Sequence, residues 1–198
     1  MKRRLAAFVA AAAAAGSLPV VAQGNTAYAD KFAANCVACH GAQGRSSMAL
    51  TPSLAGQPGF YAITQLFLFR QGRRDNPVMS AVAQGMPDAD MRGYAEAIAA
   101  LPAPPPPEAR GDEARLQRGK ALAAQHRCAS CHGADFSGDK QVARLAFQRE
   151  DYLQQTLRAF RAGKRIGYTQ AMNEALASLS AENLDDLAHY LAHYERAP

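Results

Sequence analysis

Residues 88–101 read DADMRGYAEAIAAL, where Met91, Tyr94, Ile98 and Leu101 recur at the three- and four-residue steps of an α-helix. Aspartates stand in its first turn and Pro102 follows directly, so the helix is expected to end there. The same period returns over residues 180–195, with Leu184, Leu187 and Leu191 as the apolar stripe and Ser180 placed to cap the start. Helices are also expected near residues 27–35, 59–71, 113–125 and 150–162, the second of these stopped by Gly72. No run alternates apolar with polar residues, so the chain reads as all-α. Each half offers three short helices, a small core for about 80 residues.

The halves are separated by LPAPPPPE at 101–108, a run that can make neither helix nor central strand. As extended polyproline it would be a semi-rigid spacer of roughly 20 Å. Similar pieces recur in the same order on either side, as in an internal duplication. Tyr61-Ala62-Ile63-Thr64-Gln65-Leu66 matches Tyr152-Leu153-Gln154-Gln155-Thr156-Leu157, and Phe69-Arg70-Gln71-Gly72-Arg73-Arg74 matches Phe160-Arg161-Ala162-Gly163-Lys164-Arg165. Met79 and Met172 then correspond, seven residues ahead of Met86 and Leu179. The expected organisation is a leader over residues 1–22, a first domain at 23–101, the linker at 102–108 and a second domain at 109–198.

The leader follows from MKRRLAAFVAAAAAAGSLPVVAQG: a basic start, an apolar run too short to span a bilayer, a Gly-Ser-Leu-Pro break and Val20-Val21-Ala22 as a small-residue cleavage site. That is a secretory signal peptide. Lys2, Arg3 and Arg4 supply three of the net +5 charges, leaving about +2 on the mature chain. Residues 23–101 carry six Lys or Arg against five Asp or Glu, and residues 108–198 thirteen against twelve. With both signs interspersed and no dense basic block, a nucleic-acid partner is not expected.

All four cysteines lie in two short motifs, CVACHG at 36–41 and CASCHG at 128–133. A disulfide framework leaves the histidine after each pair unexplained. A zinc site would have to join pairs 92 residues apart in separate repeats. A redox dithiol would follow a strand, and none is expected. Covalent haem attachment uses all three residues, the thiols adding to porphyrin vinyl groups and the histidine reaching the iron. On this reading Cys36, Cys39, Cys128 and Cys131 are the haem anchors and His40 and His132 the proximal ligands. Two haem c groups would also supply the bulk that the small cores lack, and their attachment outside the cytoplasm fits the export signal.

CVACHG, CASCHG, PSLAGQ at 52–57, the FRxG turn in each half and the late methionine before a helix together resemble a class I c-type cytochrome repeated twice, most like the diheme cytochrome c4 family. The resemblance covers roughly residues 26–196 and implies two tandem helical domains, each wrapped around one covalently attached haem. In that family a Pro carbonyl of the PxLAG segment meets the proximal histidine. Pro52 fills that place for His40, whereas the second half has Ala143 there, in VARLAFQ, so the partner of His132 is left open and the haems can differ in potential.

The sixth iron ligand separates a carrier from a catalyst. Met172 is the only methionine after the linker, 40 residues beyond His132. In the first half Met48, Met79, Met86 and Met91 compete; Met79 is the expected ligand because it aligns with Met172 and lies 39 residues beyond His40, with Met86 as the alternative. Pro77 is expected to keep the segment before Met79 extended, as a loop over the haem face. His189 and His193, one turn apart, are read as a solvated helix face. Arg70, Arg73, Arg161 and Arg165 are candidates to pair with haem propionates. The resemblance implies a periplasmic electron carrier between a quinol-oxidising complex or periplasmic dehydrogenase and a terminal oxidase, a role compatible with peripheral membrane association. The alternatives are a bound cytochrome subunit of a dehydrogenase, or a diheme enzyme such as a peroxidase, which would need an open iron.

Overall fold

The computed structural model describes residues 24–165 and 170–195. The expected signal peptide therefore lies outside the described residues. Those residues form α1 (Gly24–Asn35), α2 (Val37–His40), α3 (Gly59–Arg70), α4 (Pro77–Ala83), α5 (Asp88–Ala100), α6 (Glu113–Gln125), α7 (Ala129–His132), α8 (Glu150–Arg161), α9 (Gln170–Leu176) and α10 (Ala181–Ala192). Among them there is no strand, only an isolated antiparallel bridge between Asp139 and Val142. The six longer helices stand where the apolar period puts them, and Ser180 caps α10 with its side chain on the Asn183 amide.

The short helices α2, α4, α7 and α9 were not expected, because four to seven residues cannot display a helical period. Here the reading of Pro77 needs correcting. It is the first residue of α4, where its missing N–H would have no intrahelical partner in any case. The extended residue is Asn76, at φ −167°, ψ 102°, whose side chain caps the helix by accepting from the Met79 amide at 2.9 Å. Met79 thus stands on a helix and not in a loop.

Each half repeats one packing scheme. The first helix crosses the last (α1 on α5, α6 on α10), the middle helix lies along the last (α3 on α5, α8 on α10), and the short methionine helix rests on the middle one (α4 on α3, α9 on α8). Phe32, Leu66, Met91, Tyr94 and Ile98 centre the first core, and Leu153, Leu157, Leu184, Leu187 and Leu191 the second. At the first crossing Gly93 of α5 lies under the Tyr28 ring; at the second, Gly119 of α6 lies under the Asp186 carbonyl and Tyr190. The gap in the surface is on the last helix in one repeat and on the first in the other.

The segment around the proline run lies against both halves. Ala103 packs on Gly56 of the first half, and Gly111 lies against His189 and His193 of the second. Direct bonds join the halves: the Tyr61 amide donates to the Lys140 carbonyl at 3.0 Å, the Leu50 amide to Asp151 at 2.9 Å, and Arg149 to the Ser46 carbonyl at 3.1 Å.

Candidate functional site

Both CxxCH motifs fold alike. Cys36 and Cys128 are the N-caps of α2 and α7, and the histidine amides close those turns on the cysteine carbonyls at 2.9 and 3.1 Å. Gly41 and Gly133 then take φ +78° and +85°. A Cβ at Gly41 would fall 1.9 Å from the Arg45 carbonyl oxygen, so glycine is a steric requirement there, whereas at Gly133 the positive φ alone favours it.

The returning loops place a carbonyl against each imidazole. His40 Nδ1 donates to the Pro52 oxygen and His132 Nδ1 to the Ala143 oxygen, both at 2.9 Å. The contact does not depend on proline: a backbone carbonyl carries it, and the second half makes it with alanine. With the proton on Nδ1, Nε2 keeps its lone pair, the form in which a histidine can ligate a metal. Burial lowers the pKa of both histidines against the opposing pull of these carbonyls, and Arg74 lowers that of His40 further, so each ring is held neutral as a metal ligand must be. No disulfide joins any of the four cysteines. Burial pushes Cys36 up to about 11 and raises Cys128, so neither is a ready thiolate of the kind a redox dithiol needs.

Met79 and Met172 are each the third residue of a seven-residue helix, α4 and α9. Met79 packs with Cys36 against the first core and Met172 with Cys128 against the second. Met86 also packs on the first core, but Arg70 donates to its carbonyl at 2.7 Å just as Arg161 donates to the Leu179 carbonyl at 2.9 Å. It therefore occupies the place that leucine fills in the second repeat. Met91 is core, 3% exposed, and Met48 is exposed.

His189, on α10, corrects the sequence reading. His189 is 6% exposed, not solvated: its Nε2 accepts the Asp112 amide at 2.8 Å and its Nδ1 meets Glu150 at 2.9 Å. With both nitrogens engaged it staples the starts of α6 and α8 to α10. His193 uses Nδ1 on the His189 carbonyl.

The four candidate arginines stand in different settings. Arg70 and Arg161 hold the carbonyls just described, Arg73 is exposed, and Arg165 is buried over Phe160 and bonded to Thr156. The reading missed Arg74, which lies over Phe69, bonds to Gln65 at 2.6 Å and reaches across to the Tyr152 hydroxyl at 2.8 Å. Burial raises that hydroxyl, but Arg74 and Arg165 outweigh it and bring it down to about 7. Gln57 and Gln148, also passed over, are each 5% exposed between the halves. Both pairs, Arg74 with Arg165 and Gln57 with Gln148, were visible as matched positions in the repeat; nothing local showed what they touch.

The donor set fits a covalently held haem twice over: two thiols in a turn, a buried neutral imidazole with its far nitrogen fixed, and a thioether packed on the same core. The family model described as cytochrome c matches residues 21–102 and 116–195. The chain is 34% identical over 164 residues to "Cytochrome c4" of Thiocapsa roseopersicina, covering 79% of this chain and 85% of the relative. It is 35% identical over 168 residues to "Thiosulfate dehydrogenase electron acceptor" of Thiomonas intermedia, covering 80% and 77%. Among solved structures it is similar to reduced recombinant cytochrome c4 from Pseudomonas stutzeri, with a TM-score of 0.78, 25% identity, and coverage of 85% of this chain and 97% of that one.

Proposed function

We propose, from the premise that this chain belongs to the diheme cytochrome c4 family of c-type cytochromes and carries two covalently bound haem c groups, that it is a periplasmic electron carrier whose irons are each closed by histidine and methionine. Cys36 and Cys39 would anchor one haem and Cys128 and Cys131 the other, with His40 and Met79, and His132 and Met172, as the residues that would hold the two irons. When bound, each haem supplies an iron that changes by one electron. The observation that carries the reading is the equivalence of the repeats: a buried histidine bonded to a carbonyl, and a methionine third in a seven-residue helix.

In this reading the protein's residues do the positioning. The Pro52 and Ala143 carbonyls hold the imidazoles in one tautomer and orientation, and the helices α4 and α9 hold the thioethers on the cores. A thioether favours the ferrous state and raises the potential, while packed ligands keep reorganisation small. An iron held by both a histidine and a methionine would keep no position for oxygen, peroxide or substrate. Among the described residues no helix is long and apolar enough to cross a membrane. Electrons come from a quinol-oxidising complex or periplasmic dehydrogenase and leave to a terminal oxidase or another acceptor.

A second reading, favoured by the relative from Thiomonas intermedia, makes the chain the electron-accepting partner of a periplasmic sulfur-compound dehydrogenase. Reduction by such a dehydrogenase in a purified mixture selects it.

The test is the weak long-wavelength sulfur-to-iron charge-transfer band of the oxidised protein. Met79→Ala and Met172→Ala are each expected to remove about half of it and Met86→Leu to leave it whole; a full band in both alanine variants overturns the ligand assignment. Ready binding of carbon monoxide to the reduced wild type would overturn the carrier.

A further inference from the structure

Each proximal histidine is bonded to a peptide group whose other end is held by the opposite half of the molecule. His40 Nδ1 donates to the Pro52 carbonyl at 2.9 Å, and the N–H of that same peptide, the Ser53 amide, donates to Gln148 Oε1 at 2.8 Å. His132 Nδ1 donates to the Ala143 carbonyl at 2.9 Å, and the Arg144 amide of that peptide donates to Gln57 Oε1 at 3.1 Å. The glutamine amides close both clamps, Gln148 Nε2 donating to the Ser53 carbonyl at 2.8 Å and Gln57 Nε2 to the Arg144 carbonyl at 3.0 Å. Gln57 and Gln148 are repeat equivalents, and so are the peptides they grip. The arrangement is a crossed pair, with neither glutamine serving the histidine of its own half.

A peptide is a conjugated unit, so accepting a hydrogen bond from its N–H shifts charge onto its carbonyl oxygen. Linked hydrogen bonds strengthen one another by roughly 10–30% per bond, more effectively where water is excluded, and both glutamines are 5% exposed. A stronger carbonyl acceptor draws on the Nδ1 proton, makes Nε2 a better donor to iron, and favours the ferric state. We infer that Gln57 and Gln148 are positioning residues that tune the haem of the opposite half, Gln57 through His132 and Gln148 through His40, so that docking of the halves sets both potentials. The inference deepens the carrier reading and rests on its assignment of the two histidines as iron ligands.

The experiment uses the full holoprotein. In wild type, scalar couplings across the hydrogen bonds are expected between the Ser53 amide nitrogen and the Gln148 side-chain carbonyl carbon, and between Arg144 and Gln57. Their absence overturns the relay without any variant. In Gln57→Met, the potential of the second-half haem is expected to rise and the His132 Nδ1 proton of the reduced protein to move upfield, with His40 and its haem unchanged. Gln148→Met gives the mirror result, and Gln57→Glu, which keeps an acceptor for the Arg144 amide, leaves the His132 signal at or downfield of its wild-type position and never upfield. A shift confined to the haem of the substituted half, an equal shift in both haems, or no shift overturns the inference. Wild type with two haems by mass and a full charge-transfer band keeps the carrier reading standing whichever way the crossing falls.

Discussion

At the residue scale, Asp186 shows how far a charge can be committed to one place. Its side chain is 4% exposed and accepts from Arg118 Nε at 2.6 Å, from a second Arg118 nitrogen at 3.1 Å and from Arg115 at 3.3 Å. Hydrogen bonding from Arg118, with the charges of both arginines, holds its carboxyl below the usual range despite the burial. A depressed carboxyl adds stability above its unfolded value, near 4, and that stability is lost as the pH falls through the folded value. Asp186→Asn is therefore expected to destabilise the second half by about 2 kcal/mol at pH 7. Denaturant midpoints of the two proteins should keep that gap down to about pH 5 and converge below about pH 4. The same cluster shows what residue types conceal. His189 and His193 one turn apart look solvated in the sequence, because the Asp112 amide and Glu150 that bury His189 lie 77 and 39 residues away.

At the element scale, the helix crossings set the shape of each half. A Cβ at Gly119 would meet the Asp186 carbonyl oxygen at 2.3 Å and Tyr190 Cβ at 2.5 Å, and the first of these is backbone that cannot swing aside. Gly119→Ala is expected to force α6 and α10 apart at a cost of about 2–3 kcal/mol, read as a fall in the unfolding midpoint of the second half. Ser180→Ala, which removes the hydroxyl that accepts from the Asn183 amide and leaves the reciprocal bond from the residue-180 amide to the Asn183 side chain, should cost about 1 kcal/mol in the same measurement. The six longer helices were legible because an amphipathic stripe needs only near neighbours. Both methionine helices escaped notice: seven residues hold less than two full turns, and the Asn76 cap with Pro77 at the first position looks the same as an extended approach to a loop.

At the scale of the whole molecule, each half buries a small core, which is expected to lean on its prosthetic group for stability. Cys36→Ser with Cys39→Ser is expected to yield a chain with one haem by mass that loses about half its far-ultraviolet helical signal, with proteolysis confined to the first half; full retention of that signal would show that the first core folds alone. The sequence by itself determined the all-α class, the duplication, two haem attachments and the pairing of Met79 with Met172, because each is written in residue type and spacing over a few turns. Only the tertiary structure decided that Ala143 serves His132 as Pro52 serves His40, that Arg74 and Arg165 flank Tyr152, and that Gln57 and Gln148 cross between halves. Apart from Arg165 on Tyr152, those contacts join residues 78 to 95 positions apart or depend on a backbone carbonyl that every residue type shares, so no local pattern encodes them.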